Sequence, residues 1–154
     1  MKNIHVIIDT SSSMSVLSKR SIIQNVCSFI KGVSNNTEYQ DMNFIFYTWG
    51  TTGINEYTFQ DIIDIDLSGK VDMKDFIDFI KSNGKEQLKI LLLTDGYIDT
   101  LLYNVPCNLL LNVRIDIINI GIDSDTVNLS YKLKAQYFDA ENIAYALSHI
   151  CFQV

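Results

Sequence analysis

Apolar positions follow two rhythms along this chain. Residues 3–8, 43–48, 88–94 and 114–121 are short, nearly unbroken runs rich in Ile, Val, Leu and Phe. Such runs predict strands, and those without polar alternation predict strands covered on both faces. Between them, residues 16–33 place Val16, Leu17, Ile22, Ile23, Val26, Cys27, Phe29, Ile30 and Val33 at helical spacing, with Gly32 and Asn35-Asn36 as a stop. Residues 72–82 repeat the pattern with Met73, Phe76, Ile77, Phe79 and Ile80 before Asn83-Gly84. Residues 141–152 do so with Ile143, Ala144, Leu147, Ile150 and Cys151.

The segments between are less regular. Residues 49–53 read as a turn and 55–60 as a returning hairpin partner. Acid and apolar residues alternate over 61–67, as in an edge strand or extended loop. Residues 100–112, around Pro106, predict a short helix and a loop, and 135–138 a short edge strand. Strands alternating with helices predict one doubly wound α/β domain over 1–154, its central sheet mainly parallel with one antiparallel edge strand.

Composition agrees with a compact domain: 47% of the 154 residues are hydrophobic and 19% charged. No apolar run reaches the ~18 residues of a membrane span, and the start of the chain does not read as a secretion signal, so a cytoplasmic protein is expected. A net charge of −6, with Lys and Arg scattered, argues against nucleic acid as a partner. Cys27, Cys107 and Cys151 show no metal or redox spacing and read as small hydrophobes, Cys27 and Cys151 on helix stripes.

The chemistry sits where two of the apolar runs end. Asp9-Thr10-Ser11-Ser12-Ser13 follows the first, placing a carboxylate and two hydroxyls at alternate positions. Oxygen donors of this kind suit a hard divalent cation: Mg2+, or Mn2+ or Ca2+. Asp95-Gly96 follows the run ending Leu92-Leu93-Thr94. In open α/β sheets ligands bind beyond the carboxyl ends of the strands, so neighbouring parallel strands would bring Asp95 to face Asp9, Ser11 and Ser13. Any one of these residues could instead cap a helix; the combined spacing favours a metal scaffold.

These motifs resemble the von Willebrand factor A (vWA) family, over nearly the whole chain. Its metal-ion-dependent adhesion site (MIDAS) opens with D-x-S-x-S, matched by Asp9, Ser11 and Ser13, and ends with an aspartate after an apolar strand, matched by Asp95. Between them the family places a threonine in a glycine-rich loop. Here Ser68-Gly69-Lys70-Val71-Asp72 corresponds, and Val71 stands where the threonine belongs. Ser68 or Asp72 could substitute as a further ligand or a supporting group. The resemblance implies a three-layer, Rossmann-like fold and a metal-dependent protein-interaction module whose ion accepts Asp or Glu from a partner protein.

Met14, Trp49 and Tyr97 are the expected partner contacts, although Trp49 could equally close the hairpin from within. The short chain is similar to stand-alone bacterial vWA proteins of the tellurite-resistance type, which implies an adaptor working with kinase, phosphatase or ATPase components. One alternative is a degenerate adaptor that binds without metal, for which Val71 speaks. A Mg2+-dependent phosphate-ester hydrolase is the other.

Other catalytic readings lack their parts. His5 and His149 stand away from the serines, so no Ser-His-Asp set is expected. Ser11 occupies the position where a haloacid-dehalogenase-type phosphotransferase needs a second Asp. The residues flanking Asp9 and Asp95 do not match a response-regulator receiver, and no phosphate-binding glycine loop occurs.

Overall fold

In the computed structural model, which describes residues 1–58, 65–84, 87–98 and 104–153, six strands form one sheet in the order β3-β2-β1-β4-β5-β6. The strands are β1 (Lys2–Asp9), β2 (Met42–Gly50), β3 (Gly53–Glu56), β4 (Leu88–Thr94), β5 (Val113–Asn119) and β6 (Gln136–Asp139). Only β3 runs antiparallel, hairpinned onto β2 at the sheet edge. The helices are α1 (Lys19–Val33), α2 (Met73–Asn83), α3 (Val127–Leu133) and α4 (Ile143–Phe152). Among the described residues no helix is long and apolar enough to cross a membrane.

Strand alternation sorts the core into two layers. Ile4, Val6 and Ile8 of β1, with Leu91 and Leu93 of β4, pack with Ile23, Cys27 and Ile30 of α1 and Ala146, Leu147 and Ile150 of α4. On the other face Ile7, Ile90, Leu92 and Ile117 pack with Phe76 and Ile80 of α2 and Leu129 and Leu133 of α3. A strand buried on both faces is apolar at nearly every position, and β1 and β4 read plainly even though His5 and Lys89 are buried within them.

The differences from the sequence reading are local. The first helix begins at Lys19 because residues 12–15 form a tight 3-10 turn. The hairpin is shorter: β2 runs on to Gly50 and β3 occupies Gly53–Glu56. Of the two forms expected for 61–67, the described residues 65–67 are loop, with Ile65 and Leu67 buried. The rest of that segment, residues 59–60 of the hairpin partner and 100–103 of the helix-and-loop stretch lie outside the described residues; a 3-10 turn covers Cys107–Leu110. Helix α3 has no counterpart in the predicted pattern. Cys27 and Cys151 are buried as read, whereas Cys107 is exposed.

The chain winds outward from β1 through β2 and β3, then crosses to β4 on the other side of β1. The sheet's switch point therefore lies between β1 and β4, with Ile8 registered against Leu93.

Candidate functional site

That register brings the two acidic strand ends together. Thr94, the last residue of β4, donates its hydroxyl to Asp9 Oδ2 at 2.7 Å, and the Ser11 N–H donates to Asp9 Oδ1 at 2.8 Å. Asp9 is fully buried. Burial pushes its carboxyl above the usual carboxylate range; the hydrogen bonds from Thr94 and Ser11 work against that, and the Asp95 charge adds to it. The Ser11 and Ser13 hydroxyl oxygens converge to 3.1 Å.

The loop is fixed from its other side by backbone bonds. Gly69 N–H donates to the Thr10 carbonyl and the Ser12 N–H to the Gly69 carbonyl, both at 3.0 Å. A Cβ at Gly69 would lie 3.1 Å from the Thr10 carbonyl oxygen, so the close approach favours glycine there. The 68–72 segment thus lies beside Ser11, as the resemblance implied, but its side chains point to other tasks. Ser68 donates both its hydroxyl and its N–H to Asp66. Asp72 caps α2 by accepting from the Lys74 N–H. Half-buried Val71 packs on the Trp49–Phe76 cluster. Ser68 is thus engaged by Asp66 within the loop, and Asp72 by the start of α2.

Two of the three expected contact residues are not on the surface. Met14 is fully buried under the loop, and Trp49 is fully buried and stacked on Phe76 with ring centroids 5.3 Å apart. Trp49 closes the hairpin from within. Tyr97 is the exposed one; its N–H donates to Asp95 Oδ1 at 3.2 Å and its hydroxyl to the Asp123 carbonyl at 2.6 Å.

The largest addition to the sequence reading is Lys19. The first residue of α1 projects its side chain back off the helix start, as helical Cα–Cβ bonds do, into the space beside Asp95. Its ammonium lies 3.0 Å from Asp95 Oδ2, 3.0 Å from Asp123 Oδ2 and 3.3 Å from the Ser13 carbonyl, with the side chain 1% exposed. Desolvation pulls the Lys19 pKa down, but the bonds and charges of Asp95 and Asp123 outweigh it, and the net direction is upward. A cation at a helix N-terminus opposes the macrodipole by roughly 0.3–1 kcal/mol. Two carboxylates offset that.

Lys19, Thr94 and Asp123 were not singled out in the sequence. Thr94 carried a signal, since it precedes Asp95 at a strand end. Lys19 and Asp123 carried none, being one lysine and one aspartate among many, 104 positions apart.

A divalent ion held as in the family motif would need Asp95 and the missing threonine oxygen. Asp9, Ser11 and Ser13 retain lone pairs and suit one half of such a shell. The other half does not fit: Val71 offers no oxygen, and both oxygens of Asp95 are engaged, one by an ammonium. A divalent ion drawn to Asp95 would also be repelled by that ammonium. Among the described residues no three His, Cys, Asp or Glu side chains are gathered to hold a metal. Neither histidine serves the serines: His5 Nδ1 meets the Tyr47 hydroxyl at 3.2 Å, and His149 Nδ1 meets Asp116 Oδ2 at 2.6 Å.

No protein-family model matches this chain. No curated protein sequence matches it either. Solved structures do. The VWA domain of SpRpn10 superposes with a TM-score of 0.64 at 14% identity, over 97% of this chain and 95% of that one. Proximal thread matrix protein 1 from the mussel byssus, with a zinc-occupied MIDAS motif, gives 0.61 at 14% identity, over 97% of this chain and 47% of that one. The pilus adhesin SpaC from Lactobacillus rhamnosus GG, in an open conformation, gives 0.59 at 10% identity, over 97% and 29%. The chain spans under half of the mussel and pilus proteins. The fold is therefore that of a vWA domain, with D-x-S-x-S and the second aspartate meeting at the switch point.

Proposed function

We propose that this chain is a protein-interaction module, not an enzyme, and that its partner docks on the loop face at the carboxyl ends of β1, β4 and β5. The observation that carries this is a set of exposed apolar side chains around a bonded polar floor. Leu17, Tyr97 and Ile122 are 68%, 53% and 99% exposed, and each stands within two residues of Lys19 or of a carboxylate bonded to it. Exposed apolar groups held by a rigid framework are what a docking surface needs. The Ser11 and Ser13 hydroxyls supply polar contacts beside them.

A metal-dependent version, in which Mg2+ accepts a partner's Asp or Glu, is supported by the convergence of the two serine hydroxyls. The engagement of Asp95 by Lys19 weighs against it. A cytoplasmic adaptor of kinase, phosphatase or ATPase components is the narrower form of the reading, and only the family resemblance supports it.

Capture from native lysate tests the reading, with Tyr97→Ala and Ile122→Asp as variants and EDTA as a second arm. A partner held by the wild type should be lost by about 30-fold or more in at least one variant whose fold is unchanged, the scale of an interface hot spot. Undiminished capture by both would exclude this face. Loss in EDTA alone would restore the metal-dependent version.

A further inference from the structure

We propose that the Lys19 ammonium is the resident cation of this loop cup and stands in place of a divalent ion, so that the face is organised without metal. The inference deepens the interaction-module reading but is tested without any partner. The ammonium makes the same kind of contacts an ion would: two carboxylates from separate loops, Asp95 and Asp123, and the Ser13 carbonyl of the D-x-S-x-S loop. It thereby ties the loops after β1, β4 and β5 to the start of α1.

Three further features are built around that side chain. Gly121, at φ +95°, leaves the room it occupies; a Cβ there would lie 2.7 Å from Lys19 Cε and 3.1 Å from Cγ. The Tyr97 ring covers the ammonium, its centroid 5.6 Å from Nζ, while the Tyr97 hydroxyl anchors the Asp123 backbone. The backbone then closes the cup, with Asp125 N–H donating to the Asp95 carbonyl at 2.8 Å. Unlike a bound ion, a covalently tethered cation neither dissociates nor depends on metal supply.

The test is a titration of the full chain, stripped with EDTA, with Mg2+ and Mn2+. Calorimetry and Mn2+ electron paramagnetic resonance report binding, and the thermal midpoint reports any linked stabilisation. The wild type should show no saturable site and an unchanged midpoint. Val71→Thr alone should behave like the wild type, because Lys19 still engages Asp95. The double variant Lys19→Ala, Val71→Thr should acquire a saturable Mn2+ site, at least about tenfold tighter than Val71→Thr alone, and a metal-dependent midpoint.

Saturable one-to-one binding by the wild type, lost in Asp9→Asn, would overturn the proposal. So would metal binding by Val71→Thr alone, or a folded double variant without a site. If the double variant does not fold, the wild type and Val71→Thr decide the matter. Partner capture by the exposed side chains is a separate measurement, so either inference can fail alone.

Discussion

Thr94 and Asp9, 85 residues apart, share a 2.7 Å hydrogen bond between the ends of neighbouring parallel strands. The Thr94 oxygen also accepts from the Gly96 N–H at 3.0 Å, so one hydroxyl orients the buried carboxylate and the turn that carries Asp95. Thr94→Val keeps the shape and removes both bonds. It should cost about 1.5–3 kcal/mol of stability in urea unfolding, because a buried charged group loses a partner. In the background of Asp9→Asn the cost should shrink, since the charge is gone.

Lys19→Met removes the ammonium from between two carboxylates and leaves Asp95, itself fully buried, without its counter-charge. A loss of about 3–5 kcal/mol is expected by chemical denaturation. Adding Asp95→Asn should recover a substantial part of it, because the penalty comes from the stranded charge.

Gly96 and Gly121 are both at positive φ, but they differ in what surrounds them. A Cβ on Gly96 would fall 2.0 Å from the Asp125 carbonyl oxygen, whereas one on Gly121 would meet the Lys19 side chain at 2.7 Å. Backbone cannot yield as a side chain can. Gly96→Ala should therefore destabilise more than Gly121→Ala, each carrying roughly 1–2 kcal/mol for the left-handed backbone alone. Comparison of thermal midpoints would check the order.

His5 is buried in β1, stacked on Tyr47 and edge-on to Phe79, and burial lowers its pKa from 6.5. The unfolded chain then binds this proton more readily than the fold. Its contribution to stability is full above pH 6.5 and declines as pH falls below that value towards the lowered one. Asp9 and Asp116, raised by burial, act with the opposite sign, so the comparison must be with His5→Phe. Between about pH 7.5 and about pH 5 the wild type should lose more stability in urea than His5→Phe does. Equal losses would exclude the assignment.

By itself the sequence determined the central strands and the carboxylate- and hydroxyl-bearing loop ends that follow them. Residues 88–94 came out to the residue because a strand buried on both faces is a near-continuous apolar run, here broken inside only by Lys89. Asp9, Ser11, Ser13 and Asp95 could be named because each follows such a strand, and the parallel order of β1 and β4 then sets their ends side by side. Helix α3 escaped because seven residues give too few turns for a period to emerge. Trp49 and Met14 looked available because residue type is silent about the side from which a loop is covered. Only the tertiary structure decided what fills the cup. Charge pairing between Lys19, Asp95 and Asp123 acts through space, and nothing in the local sequence of any one of them signals the other two.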